Sequence, residues 1–136
     1  MKINIIAVGK LKKDFIPIYK SFLKRIEFYS KVNLIEIKES NKSKESLLIL
    51  KAIPKNSRAI LLSLQGKSLS SEDFAKTINE DNITFIIGGS DGVDESMFKE
   101  KIKFSKMTFN HHLFRLMLIE QIYRAIAINN NLKYHK

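Results

Sequence analysis

The chain has 136 residues, with 24 Lys and Arg against 14 Asp and Glu, a formal net charge of +10, and no cysteine. That length allows one hydrophobic core and not comfortably two, so a single domain spanning 1–136 is expected. Lack of cysteine excludes disulfides, thiolate metal sites and a cysteine nucleophile. With no apolar run near the roughly 20 residues of a bilayer span, the expectation is a soluble, cytoplasmic protein with no membrane partner.

The predicted elements alternate along the chain. Residues 3–8 form a short isoleucine-rich run suited to a buried strand, and 14–28 carry apolar side chains at helical spacing through Phe15, Ile18, Tyr19, Phe22, Leu23 and Ile26. A second strand is expected over 32–37, then a short basic helix over 44–52 that Pro54 terminates. A third strand follows at 58–64, with Gln65-Gly66-Lys67 read as a plain turn. Ser70 or Ser71 suits an N-cap for the next helix, and Glu72 and Asp73 in its first turn complement the helix dipole. Residues 83–87 give a fourth strand, 95–100 a weak helix, 103–107 a short strand and 111–129 a long helix. This β/α alternation predicts an α/β fold, a mostly parallel sheet with helices on both faces.

The charge is unevenly spread. Residues 1–60 hold 14 Lys and Arg against 5 Asp and Glu, whereas residues 61–136 hold 10 against 9. Lys10, Lys12, Lys13, Lys20, Lys24, Arg25 and Lys31 form one basic set, and Lys38, Lys42, Lys44, Lys51, Lys55 and Arg58 a second. Cations on this scale attract a polyanion through counterion release, which strengthens binding without reading sequence; a lysine-rich solvated surface is the bland alternative.

Three segments of the second half carry candidate chemistry. FIIGGSDG (85–92) puts glycines after a buried strand, where a ligand can approach the backbone closely, yet a tight strand-to-helix turn explains it equally. It lacks the spacing of a dinucleotide fold and the Lys-Ser/Thr ending of a phosphate loop. FSKMTF (104–109) reads by itself as an edge strand and turn with Phe104, Met107 and Phe109 in the core. The long helix carries LIEQIYRA (118–125) and is apolar on every side, which suits a helix passing through the fold or lying in a subunit interface. Glu120 and Arg124 stand four apart in the order that favours pairing, and Tyr134-His135-Lys136 closes the sequence. His111 and His112 at the helix start read as neutral cap or contact residues, and no spaced Asp, Glu and His cluster suggests a metal.

These four pieces, in this order, closely resemble the ribosomal RNA large-subunit methyltransferase H family, a small member of the SPOUT class, and the likeness extends back to INIIAVGKLK (3–12). The resemblance implies a SPOUT fold with a C-terminal trefoil knot and a homodimer. It also implies S-adenosyl-L-methionine as cofactor, and methylation of N3 of a pseudouridine in 23S ribosomal RNA, with the assembled ribosome as the expected substrate. Carried over position by position, it implies a cofactor cleft at Leu62, Gly88, Phe104, Ser105, Lys106, Met107, Thr108 and Phe109. It further implies a reactive group of Arg124, Tyr134 and His135, with the Tyr134-His135 tail approaching the cofactor cleft of the partner subunit and His135 as base or proton relay. Two departures stand out: Asn110 occupies a position expected to be proline, and the region 38–55 is shorter than usual in the family. A non-catalytic basic RNA-binding or ribosome-assembly module would explain the charge, and a methyltransferase of the same fold acting on another RNA nucleotide would explain the cleft.

Overall fold

The computed structural model describes residues 1–79 and 81–136. Five strands, β1 (Lys2–Val8), β2 (Lys31–Ile37), β3 (Arg58–Ser68), β4 (Asn82–Ile87) and β5 (Lys101–Lys103), form one sheet in the order β2-β1-β4-β3-β5. Every strand pair is parallel. Four helices, α1 (Ile16–Glu27), α2 (Lys42–Ala52), α3 (Ser71–Thr77) and α4 (His111–Asn129), cover it.

Alternation along the central strands divides the core in two. Ile3, Ile5 and Ala7 of β1 and Ile83, Phe85 and Ile87 of β4 face α1, α3 and α4, whereas Ile6, Val8 and Ile86 face Ile49 of α2 and Val93 and Phe98 from the β4–β5 connection. A parallel sheet buried on both faces needs such uninterrupted apolar strands. The second face also buries a polar ladder: Asn33 donates to Asn4, Asn4 donates to Thr84, and Thr84 donates to Ser57, at 3.2, 3.2 and 2.9 Å. Each buried polar side chain in it thereby keeps a partner.

Capping sets the helix starts. Asn41 accepts from the Lys44 amide, Ser70 and Asp73 form a reciprocal capping box, and Asn110 accepts from the His112 amide. Ser70, of the two candidate serines, is therefore the cap of α3, and α2 begins at Lys42, two residues before the expected start.

Three expected elements differ. The helix predicted over 95–100 is a single 3-10 turn, Glu95–Met97. The strand predicted over 103–107 is β5, Lys101–Lys103, and 104–109 is loop: the alternation of Phe104 with polar residues comes from a segment packed at one end and open at the other. The turn expected at Gln65-Gly66-Lys67 is instead part of β3. Its register against β5 places both Leu62 and Lys67 opposite Ile102, so residues 63–66 bulge out of the ladder.

Arg115 of α4 is 1% exposed, and the sequence reading did not single it out. It donates to Glu36 at 2.8 Å and to the Gly9 carbonyl at 3.1 Å, with its guanidinium 5.9 Å from the Tyr19 ring centre. Burial pushes the Tyr19 hydroxyl up to about 12. One buried cation thus ties the ends of β1 and β2 to the start of α4, where the loop carrying Lys10, Lys12 and Lys13 begins. The Lys12 amide adds a bond of 3.3 Å to His112 Nδ1, whose proton affinity is lowered first by burial and then by His111, Arg115 and Lys12. His112 therefore accepts here as a neutral ring.

Candidate active site

Two groups of side chains stand apart on the molecule. The first surrounds a cleft of about 460 Å³ at the carboxyl ends of β3 and β4, where open parallel sheets bind their ligands. Three segments wall it: residues 61–65 from β3 and its bulge, the turn after β4 from Ile87 to Val93, and residues 108–111 with Phe114 at the start of α4.

Each wall has a local cause. The bulge turns Ser63, Leu64 and Gln65 outward, and the Ser63 hydroxyl fixes it by accepting from the Gln65 amide at 3.0 Å and donating to Glu95 at 2.7 Å. Glu95 also meets Lys101 at 3.5 Å, so its charge is balanced at the rim. The glycine turn closes through Gly92 N–H donating to the Gly89 carbonyl at 3.0 Å, and Gly92 takes φ +75, which favours glycine. A Cβ at Gly88 would come within 3.0 Å of Val93, and one at Gly89 within 3.0 Å of Val8 and 3.2 Å of Glu45. Both glycines therefore let the turn lie flat on its supports with bare backbone bordering the cleft.

Helix α2 braces this turn from behind. Ser46 accepts from the Asp94 amide at 2.9 Å, and the buried Glu45 accepts from the Ser40 amide at 2.7 Å. Lys42, Lys44 and Lys51 are exposed on the same helix.

Of the residues that the family pattern assigned to the cofactor, Leu62, Gly88, Thr108 and Phe109 line this cleft. Phe104 lies elsewhere, beside a smaller cavity of about 260 Å³ bounded by Ser71, Phe74, Met117, Glu120 and Gln121 among others. Ser105, Lys106 and Met107 line neither; Met107 is 72% exposed, and its amide donates to Ser105. Ser63, Gln65, Glu95 and His111 line the cleft without having been picked out for it. For Ser63 and Gln65 the signal in the sequence was Gly66, a glycine inside what is now a strand, which marks a bulge or a close backbone approach.

The second group is the C-terminal tail folded back on α4. Asn131 takes φ 57 and the Leu132 amide reaches the Ala127 carbonyl at 2.8 Å, so the chain reverses after α4 and brings Tyr134 edge-on to Tyr123, 4.8 Å between ring centres. Arg124 is the hub. It grips Glu120 through Nε and Nη2 at 3.0 and 3.2 Å, lies 4.9 Å over the Tyr134 ring and places Nη1 3.1 Å from His135 Nδ1. Glu120, first by its hydrogen bond, raises the affinity of Arg124 for its proton, and burial raises that of the Tyr134 hydroxyl. His135 Nε2 stands 2.5 Å from Glu72 of α3, and that hydrogen bond is the main reason the Glu72 carboxyl sits below the usual range. The stabilising i, i+4 pair and the functional grouping expected of Arg124 are therefore the same contact set.

None of Arg124, Tyr134 and His135 lines the cleft of its own chain. Phe114 borders the cleft and Arg124 follows ten residues later on α4, about 15 Å further along the axis. Among the described residues no group of three or more His, Cys, Asp or Glu could hold a metal ion, and no helix is long and apolar enough to cross a membrane.

Comparison with known proteins gives one consistent result. A family model described as a predicted SPOUT methyltransferase matches residues 1–135. The curated protein "Ribosomal RNA large subunit methyltransferase H" of Mycoplasma mobile is 57% identical with both chains covered in full, and its namesake in Mycoplasmopsis synoviae is 60% identical, also in full. The namesake in Clostridium botulinum is 43% identical over the whole of both chains.

Proposed function

The chain belongs to the SPOUT methyltransferase family, and on that premise we propose that it methylates N3 of a pseudouridine in 23S ribosomal RNA, using S-adenosyl-L-methionine. It is a ribosomal RNA methyltransferase. The observation that carries it is the pairing of a strand-end cleft of cofactor size with a separate Arg-Tyr-His group.

The cleft fits the cofactor chemically. Leu62, Phe109 and Phe114 offer apolar surface for an adenine, the bare backbone at Gly88 permits close approach, and the polar rim of Ser63 and Glu95 suits a cationic, hydroxylated ligand. Leu62, Gly88, Thr108 and Phe109 would hold it. Bound there, S-adenosyl-L-methionine supplies an electrophilic methyl group on a positively charged sulfur.

An imide nitrogen attacks poorly while it keeps its proton, so the protein must take the proton as the nitrogen is aligned with the methyl. His135 accepts it, Tyr134 stacks on the base, and Arg124 stabilises the negative charge that develops on the ring. These groups stand well along α4 from the cleft, so a second copy is needed to complete the site. An antiparallel two-fold pairing of α4 helices would bring each tail to the other chain's cleft. Ile18 at 52% exposure and Leu113 at 41% are apolar side chains left open for such contact on α1 and α4. One domain over 1–136, a trefoil-knotted passage of α4 and a cytoplasmic setting accompany this proposed activity.

Incubating the protein with S-adenosyl-L-methionine and ribosomes lacking the modification, then digesting the RNA for mass spectrometry, should yield 3-methylpseudouridine. Cofactor binding without that product would mean another nucleotide; no cofactor binding would leave the RNA-binding module as the better account.

The lysines of α2 lie behind the glycine turn and are positioned to hold RNA phosphates near the cleft. Changing Lys42, Lys44 and Lys51 together to Gln should lower the slope of log affinity against log salt by about 2 to 3. Filter binding to ribosomal RNA over a salt series measures it, and an unchanged slope would remove α2 from the RNA surface.

A further inference from the structure

We propose that Glu72, on the first turn of α3, is a positioning residue for the methyl transfer: it holds His135 in the one protonation form that can take the substrate proton. The inference rests on the reading of His135 as the base.

A guanidinium only donates hydrogen bonds. Arg124 Nη1 lies 3.1 Å from His135 Nδ1, so Nδ1 must offer its lone pair and, in the neutral ring, Nε2 must carry the hydrogen. That hydrogen points to Glu72 Oε1 at 2.5 Å, and a carboxylate is the acceptor it requires. The two contacts agree on a single tautomer, which hydrogen placement alone would not settle. Nδ1 is then the only basic nitrogen of the ring, and Arg124 covers it.

A proton path follows. As negative charge grows on the substrate base, the guanidinium edge now on Nδ1 has a better acceptor in the base oxygen and turns toward it. The exposed Nδ1 lone pair takes the proton from N3: the N3–H bond breaks, the Nδ1–H bond forms, and the N3 electron pair is left to form the bond to the methyl carbon. The ring becomes a cation whose Nε2–H remains on Glu72, and the Glu72 carboxylate balances its charge. Other charged or titratable groups of the cluster are Glu120 of α4, Tyr134 of the tail and Arg25 of α1. The first two are already engaged with Arg124, and Arg25 stacks between Phe22 and Tyr123. Glu72 is therefore the carboxylate left to the imidazole.

Glu72 is 59% exposed at its side chain, so its replacement leaves the core intact. Turnover, KM for the cofactor and the proton NMR spectrum are compared for the wild type, Glu72→Ala, His135→Ala and the double variant. The wild type should show a downfield, slowly exchanging His135 Nε2 proton that Glu72→Ala loses. Glu72→Ala should lower kcat roughly 10-fold, part of what a general base typically contributes, with KM for the cofactor unchanged. It should lower nothing further in the His135→Ala background. Wild-type kcat in Glu72→Ala, while His135→Ala is inactive, overturns the role of Glu72 alone; normal turnover in His135→Ala overturns the base and this inference together.

Discussion

His135→Ala lowers turnover by about 10²- to 10⁴-fold, the usual range for removing a general base, while the affinity for S-adenosyl-L-methionine stays as it was. The separation is expected because His135 touches Arg124 and Glu72 and lines no part of its own chain's cleft, where the proposed cofactor contacts Leu62, Gly88, Thr108 and Phe109 lie. Calorimetric titration with the cofactor and single-turnover methylation of unmodified ribosomes measure the two quantities independently. Loss of both together would mean that the tail shapes the cleft, and retention of both would remove His135 from the chemistry. The histidines at the other end of α4 serve as the contrast. His111 lines the cleft and His112 accepts from the Lys12 amide, so replacing His111 should act on cofactor affinity before it acts on the proton-transfer step.

Gly66→Ala is the second large effect, and its cause is backbone. A Cβ there would stand 2.5, 2.6 and 2.7 Å from the N, C and Cα atoms of Ile102. A flexible side chain could turn away, but a paired strand cannot, so β3 and β5 must shear. Overpacking of this kind costs about 1–3 kcal/mol, and each 1 kcal/mol lowers the melting temperature of a domain this size by about 4 °C. The bulge carrying Ser63, Leu64 and Gln65 would move with the strand, so cofactor affinity should fall roughly 10-fold for each 1.4 kcal/mol lost at the wall. A thermal melt and a cofactor titration on the variant provide the check; wild-type values in both would mean that β5 yields without cost.

The alternation of apolar runs with helical spacing announced the layered parallel sheet, because strands buried on both faces and helices with one wet side leave different patterns. Residues 104–109 misled because loop and short strand share the same spacing when a single Phe is anchored, as Phe104 is against Phe74 and Phe114. Gly66 looked like a turn because a glycine between polar residues says nothing about the strand it must slide past. Family likeness pointed to the Tyr134-His135 pair, which composition alone would have left as a frayed end. The contacts of Glu72 and Arg115 were not legible: Glu72 read only as a helix-dipole residue and Arg115 is a charge in an apolar helix, and only the folded chain gives them partners.

The interior position of β1, between β2 and β4, has a kinetic consequence. It pairs with β2, but its other neighbour is β4, and their register joins residues 80 apart, Ile3 with Ile83. The larger core cluster also draws Leu118, Ile119, Ile122, Ala125 and Ile126 from α4. A nascent chain that has made β1, α1 and β2 therefore has no stable partner for most of its apolar surface until α4 has been synthesised. Loop closure over such spans must precede its reward, so refolding should be slow for a chain of this length, and its early collapsed forms should be open to chaperones and to aggregation.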